Sequence, residues 1–148
     1  MLTKEILVDK NVSPDGKYLV YNQEVKIDNV LGKDYYPNLD KSNVQIYNGL
    51  DYRHWDTWNE GKFNHVFYKE NKDGSEGIDI LKGENYDSPQ KPFGGDEDYI
   101  WSPDSKKLVF INQAMEIKMI DLEKNTTVTV DKGLRWLHGG LLSFTASW

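Results

Sequence analysis

The stretch "SPDGKYLVYN" (13–22) returns 89 positions later as "SPDSKKLVFIN" (102–112). Pro14 and Pro103 hold φ near the value wanted at the second position of a tight turn. Asp15 and Asp104 follow, and a short carboxylate there bonds nearby backbone N–H groups. Gly16 accepts a positive φ at no steric cost, whereas Ser105 in the second copy is less free to do so. After each turn the chain becomes β-branched, apolar and aromatic, the composition of a strand. Ser13, Pro14, Asp15 and Gly16, with Ser102, Pro103 and Asp104, are therefore read as two copies of one structural turn.

The second copy continues through "MEIKMIDL" (115–122), mostly alternating, and "TTVTVD" (126–131), which places Thr on one face and Val on the other. "YIW" (99–101) supplies a short strand before the turn. Four short antiparallel strands in about 40 residues are the unit of a β-propeller blade. In the first copy a break at Asn22-Gln23 separates the opening strand from "EVKID" (24–28). "FNHVFYKE" (63–70) and "GIDILKG" (77–83) read as two further strands around a turn. "VLGKDYYPNLDKSN" (30–43) is polar and punctuated by Pro and Gly, as an insertion loop is. Asn48-Gly49 is a hairpin signal. The expected fold is all-β: a partial β-propeller of about three four-stranded antiparallel blades, incompletely closed. The blade-like units fall at 1–43, 44–95 and 96–131, with an atypical apolar tail at 132–148. On this reading the 89-residue displacement spans two blades. Open faces at the break would show Val20, Ile46, Phe67 and Val109, and the chain would self-associate.

At 148 residues the length suits one domain, and the formal net charge is −6. That acidity excludes nucleic acid and an anionic membrane surface as expected partners, since both need clustered Lys and Arg. There is no cysteine, hence no disulfide or thiolate chemistry, and the compartment stays open. No apolar run approaches a membrane span. The opening "MLTKEILVDK" is too short and too charged for a signal peptide.

"NVSPDGKYLVYN" (11–22), "YRHWDTWNEGKFNHVFY" (52–68) and "PFGGDEDYIWSPDSKKLVFIN" (92–112) together resemble the β-propeller region of the prolyl oligopeptidase family. The similarity is to its dipeptidyl-peptidase and acylaminoacyl-peptidase branch, of the type found in Bacteroidetes. The resemblance implies a serine exopeptidase whose N-terminal propeller filters peptides above a C-terminal α/β-hydrolase domain. It implies that hydrolase domain and the remaining blades as partners, a peptide as substrate, and a parent often periplasmic or secreted. "GLRWLHGGLLSFTASW" (133–148) departs from the next expected repeat.

The residues themselves carry little catalytic signal. No GxSxG nucleophile elbow occurs in the chain. "HGG" (138–140) is similar to the oxyanion-loop motif of lipases and of this family, but is read as a turn in the apolar tail. His54, His65 and His138 lack the spacing of metal ligands, and the acidic run Asp96, Glu97, Asp98 lacks that of an EF-hand. No metal or cofactor is expected. "YRHWDTW" (52–58) is the candidate site. Read as one strand, it alternates Arg53 and Trp55 on one face with His54 and Asp56 on the other. Arg53, His54, Trp55, Asp56 and Trp58 either pack between blades or line the chamber and bind a peptide terminus or carboxylate. Two functions follow: a non-catalytic propeller portion of a serine exopeptidase, or a stand-alone propeller module that binds a protein or peptide.

Overall fold

The computed structural model describes residues 10–50, 52–54, 56–91, 94–113 and 116–132. The repeated turn occupies the same place in two four-stranded antiparallel sheets. In sheet I it joins β1 (Lys10–Val12) to β2 (Tyr18–Lys26), and β5 (Lys62–Glu70) and β6 (Ile78–Asp79) complete the order β1-β2-β5-β6. In sheet II it joins β7 (Tyr99–Trp101) to β8 (Lys107–Ile111), followed by β9 (Glu116–Asp121) and β10 (Thr126–Lys132). Two short strands, β3 (Arg53–His54) and β4 (Thr57–Trp58), pair only with each other.

The two turns are built alike. The Ser13 hydroxyl accepts the Tyr18 N–H at 2.9 Å and donates to Asp15 Oδ1 at 2.7 Å, which also accepts the Lys17 N–H at 3.1 Å. Ser102 and Asp104 repeat these bonds at 2.9, 2.6 and 3.1 Å with Lys107 and Lys106. Gly16 has φ 74°, and Ser105 takes the same left-handed region at φ 60° despite its Cβ. The Ser105 hydroxyl has a second use. It accepts the backbone N–H of Asp15 at 3.0 Å and so ties one turn to the other across the sheets.

The sheets pack face to face. Val20, Val66 and Tyr68 of sheet I meet Tyr99, Trp101, Leu108, Phe110 and Ile120 of sheet II, with Leu81 between them. Tyr18 stacks on Trp101 at 6.2 Å and meets Tyr68 edge-on at 6.3 Å. Each fully buried large side chain in such a core contributes about 1.5–3 kcal/mol. Segment 87–90 clamps the ends of both sheets. Asp87 Oδ1 accepts the Asn64 N–H of sheet I at 2.6 Å, and the Asp87 carbonyl accepts the Gln113 N–H at 2.9 Å. Ser88 Oγ donates to the Ile111 carbonyl of sheet II at 2.6 Å.

The expected all-β fold of four-stranded antiparallel sheets is what the structure has, and the described residues form two such sheets. Some finer expectations are corrected. β2 runs unbroken through Asn22-Gln23 and pairs with β5 along all nine residues, so strands expected in separate units share one sheet. The 89-residue displacement accordingly leads from the turn of sheet I to that of sheet II, with an insertion at 27–61 between β2 and β5. That insertion contains a four-residue helix, α1 (Gly32–Tyr35), and the β3–β4 hairpin, but no hairpin at Asn48-Gly49. Finally, Val20 and Val109 are buried, and Ile46 and Phe67 half-buried, rather than open. Phe67 lies under Tyr21, ring on ring at 5.5 Å. Beyond Lys132 the apolar tail, with His138, Gly139 and Gly140, lies outside the described residues.

Candidate functional site

The stretch 52–58 folds back on itself instead of running as one strand. Arg53 pairs with Trp58 and His54 with Thr57. Cross-strand partners share a face, so the turn replaces the expected alternation and brings Arg53 over the Trp58 ring, 5.8 Å from its centre. Trp55 lies outside the described residues. The hairpin rests on an aromatic cluster of the insertion: Trp58 stacks on Tyr52 at 5.9 Å and on Tyr47 at 6.2 Å. Tyr47 anchors that cluster by donating to the Asn59 carbonyl at 2.7 Å. The Asn59 side chain accepts the Gly61 N–H at 2.8 Å. Gly61 has φ 74°, and a Cβ there would lie 2.0 Å from the Asp28 carbonyl oxygen. Only glycine closes the base of the insertion this tightly.

The insertion thereby becomes a lip over one end of the sheet pair. Beneath it lies a cleft of about 460 Å³ lined by Arg53, Asp56, Trp58, Glu24, Lys62 and Lys91 among others. A second cleft of about 380 Å³ adjoins it, with Asp28, Tyr35, Tyr47 and Asn48 in its wall. Asn59, Phe63 and Gln113 line both. Of the five residues singled out in sequence, Arg53, Asp56 and Trp58 come together at this lip. Tyr47, Glu24, Lys62 and Lys91 were missed, because β2, β5 and the 87–91 segment reach the cleft from distant parts of the chain.

The charges in the cleft are largely paired. Lys91 bonds Glu24 at 2.7 Å and approaches Asp87 at 3.5 Å. Lys62 bonds Glu60 at 2.8 Å, which raises the lysine pKa and lowers that of the carboxylate. Burial pushes the Asp87 carboxyl up, against the pull of the Asn64 N–H and Lys91. Asp98, away from the cleft, is likewise raised by burial although it accepts the Gln90 N–H.

Among the described residues no group of three His, Asp or Glu side chains is placed to hold a metal ion. His65 is fully buried, with Nδ1 at 2.9 Å from Asp79 and Nε2 at 3.0 Å from the Glu84 carbonyl. Both ring nitrogens are thus occupied and neither faces a serine. Ser13 and Ser102 spend their hydroxyls inside the turns. What the lip presents is a guanidinium, an exposed indole and tyrosine rings beside carboxylates, a set suited to charged and apolar groups of a peptide.

Over 120 residues, 80% of its length, the chain is 35% identical to the protein named Dipeptidyl-peptidase 5 of Porphyromonas gingivalis. It is 32% identical over 135 residues to the protein of that name from Porphyromonas endodontalis, and 34% over 119 residues to that of Schizosaccharomyces pombe. These alignments take in 82% and 69% of the chain. The chain spans only 17%, 19% and 17% of the length of these three relatives. No protein-family model matches it.

Proposed function

Because this chain belongs, over 80% of its length, to the dipeptidyl-peptidase family, we propose that it is the non-catalytic β-propeller portion of a serine exopeptidase. In that role it filters peptides and forms a scaffold for an α/β-hydrolase domain that supplies the nucleophile. One observation carries the reading. Two adjacent four-stranded sheets, opened by the same Ser-Pro-Asp turn, lie in a region that matches only 17% of a dipeptidyl-peptidase. A repeat of this size is a blade, and blades need further blades to close.

The lip then works by binding and orienting. Arg53 pairs with a peptide carboxylate, while Trp58 and Tyr52 offer ring surface to an apolar side chain. Glu24, Lys62 and Lys91 hold the wall of the cleft in fixed ion pairs. Bond cleavage belongs to residues elsewhere in the parent protein.

The test uses the purified chain with a dipeptidyl chromogenic substrate and, separately, a fluorescent short peptide followed by anisotropy. The expected result is no turnover, with saturable peptide binding that Arg53→Ala and Asp56→Asn each weaken. Both positions are exposed, so the substitutions leave the core intact. Turnover, or binding indifferent to both substitutions, overturns the proposal.

A further inference from the structure

Asn48-Gly49 has the sequence of a hairpin turn but forms none, and both residues are exposed in an irregular stretch of the insertion. Asn48 lies in the wall of the second cleft. A Cβ added at Gly49 would meet nothing within 4 Å, so the side-chain direction there is open. Among the described residues no hydrogen bond holds the Asn48 carboxamide.

We propose that Asn48 is a self-acting deamidation site. The Gly49 backbone nitrogen gives up its proton to a solvent base and attacks Cγ of Asn48. A new N–Cγ bond forms, the bond from Cγ to the side-chain amide nitrogen breaks, and ammonia leaves with a proton from solvent. Water then opens the five-membered imide at either carbonyl, giving aspartate or isoaspartate. The only co-reactant is water. Closure of the ring needs a main chain free to rotate and an unobstructed following residue, and glycine supplies both.

The other asparagines fail one condition or the other. Every other asparagine in the chain is followed by a residue that carries a Cβ. Asn22 and Asn64 are also fixed in the β2–β5 ladder. Asn112 is fully buried and accepts the Glu116 N–H at 3.0 Å. Asn59 accepts the Gly61 N–H, and Asn71 donates to the Gly16 carbonyl at 2.9 Å.

The product changes the cleft. A neutral amide becomes a carboxylate in a wall that already holds Asp28. The isoaspartate form also lengthens the main chain next to Tyr47, whose hydroxyl anchors the aromatic lip to Asn59. The modification therefore acts as a one-way timer on the charge and shape of this surface, whatever ligand it takes.

The experiment ages the purified full chain in buffer at neutral and at mildly alkaline pH. Peptide mass mapping, ammonia release and methylation by an isoaspartyl methyltransferase then locate the product. The expected result is conversion at Asn48, faster at the higher pH, lost in Asn48→Gln and slowed many-fold in Gly49→Ala. The space at Gly49 lets that variant fold normally, which circular dichroism verifies. An unconverted Asn48, conversion concentrated at another asparagine, or an equal rate in Gly49→Ala overturns the proposal.

Discussion

Asp15 is held down at about 2, below its ordinary 3.8, first by the Ser13 hydroxyl and then by the Lys17 N–H. Asp104 is lowered in the same way by Ser102 and the Lys106 N–H. A carboxyl depressed in the folded state favours folding when ionised. Its contribution is complete above the ordinary value and is lost as pH falls from about 4 towards about 2. Asp15→Ala should therefore lower the melting temperature at neutral pH, and the gap from the unaltered chain should close across that acid window. Asp87 and Asp98, raised by burial, act with the opposite sign, but they are common to both proteins and cancel in the comparison. A gap that stays constant into acid would contradict the turn as described. Asp104→Ala should lower the melting temperature further than Asp15→Ala, because Ser105 tolerates the left-handed turn less well than Gly16. Ser105 gives a second residue-scale test. Ser105→Ala loses the bond from the Asp15 N–H but keeps the strained φ, at a cost of about 1 kcal/mol. Ser105→Gly loses the same bond but relieves the strain, so it should be the milder change in denaturant titrations. The turns themselves were legible residue by residue, because Ser, Pro and Asp act on their immediate neighbours. The tie between Asp15 and Ser105 was not, because it joins residues 90 positions apart.

At the scale of elements, local signals located strands well and their partners poorly. The alternation in 126–131 gave β10, and "FNHVFYKE" gave β5. Asn22-Gln23 looked like a break because both residues are polar, yet in a ladder paired with β5 they are simply strand residues. Asn48-Gly49 carried the stronger hairpin signal, but the strands that pair in the insertion are β3 and β4, beside the aromatic cluster of Tyr47, Tyr52 and Trp58. His65 shows the same limit. Its sequence neighbours say nothing of Asp79 or of the Glu84 carbonyl, both brought to it by the return of the chain through β6. Replacing His65 by Phe keeps the bulk and removes its bonds to Asp79 and to the Glu84 carbonyl, although Asp79 still accepts the Leu81 N–H at 2.9 Å. The expected loss is about 2–3 kcal/mol of unfolding free energy by urea titration, the scale of an unsatisfied buried polar group. A loss within about 0.5 kcal/mol would show that His65 is a packing residue and no more.

For the whole molecule, the all-β fold class followed from the repeat, while the insertion at 27–61 between β2 and β5 was legible only in part, as the polar stretch 30–43. The candidate lip was legible in part: Arg53, Asp56 and Trp58 stand close in sequence, while Glu24, Lys62 and Lys91 reach the cleft only through folding. Sheet II bears on completeness. Leu108 and Phe110 of β8 face sheet I, while Val109 and Ile111 point to the other side, where Ile100, Ile117 and Met119 lie beside them in register. A sheet apolar on both faces is a layer made to be covered on both. Val128 and Val130, about half exposed at 49% and 52%, extend that apolar character to β10. The most direct measurement of the central claim, that this chain is part of a larger propeller, is sedimentation equilibrium of the isolated chain with light scattering in parallel. The account predicts concentration-dependent self-association through the partly exposed Ile100, Ile117 and Met119 with Val128 and Val130, beside the buried Val109 and Ile111. A monodisperse 17.2 kDa monomer that unfolds cooperatively would show that the chain completes its own core and would contradict it.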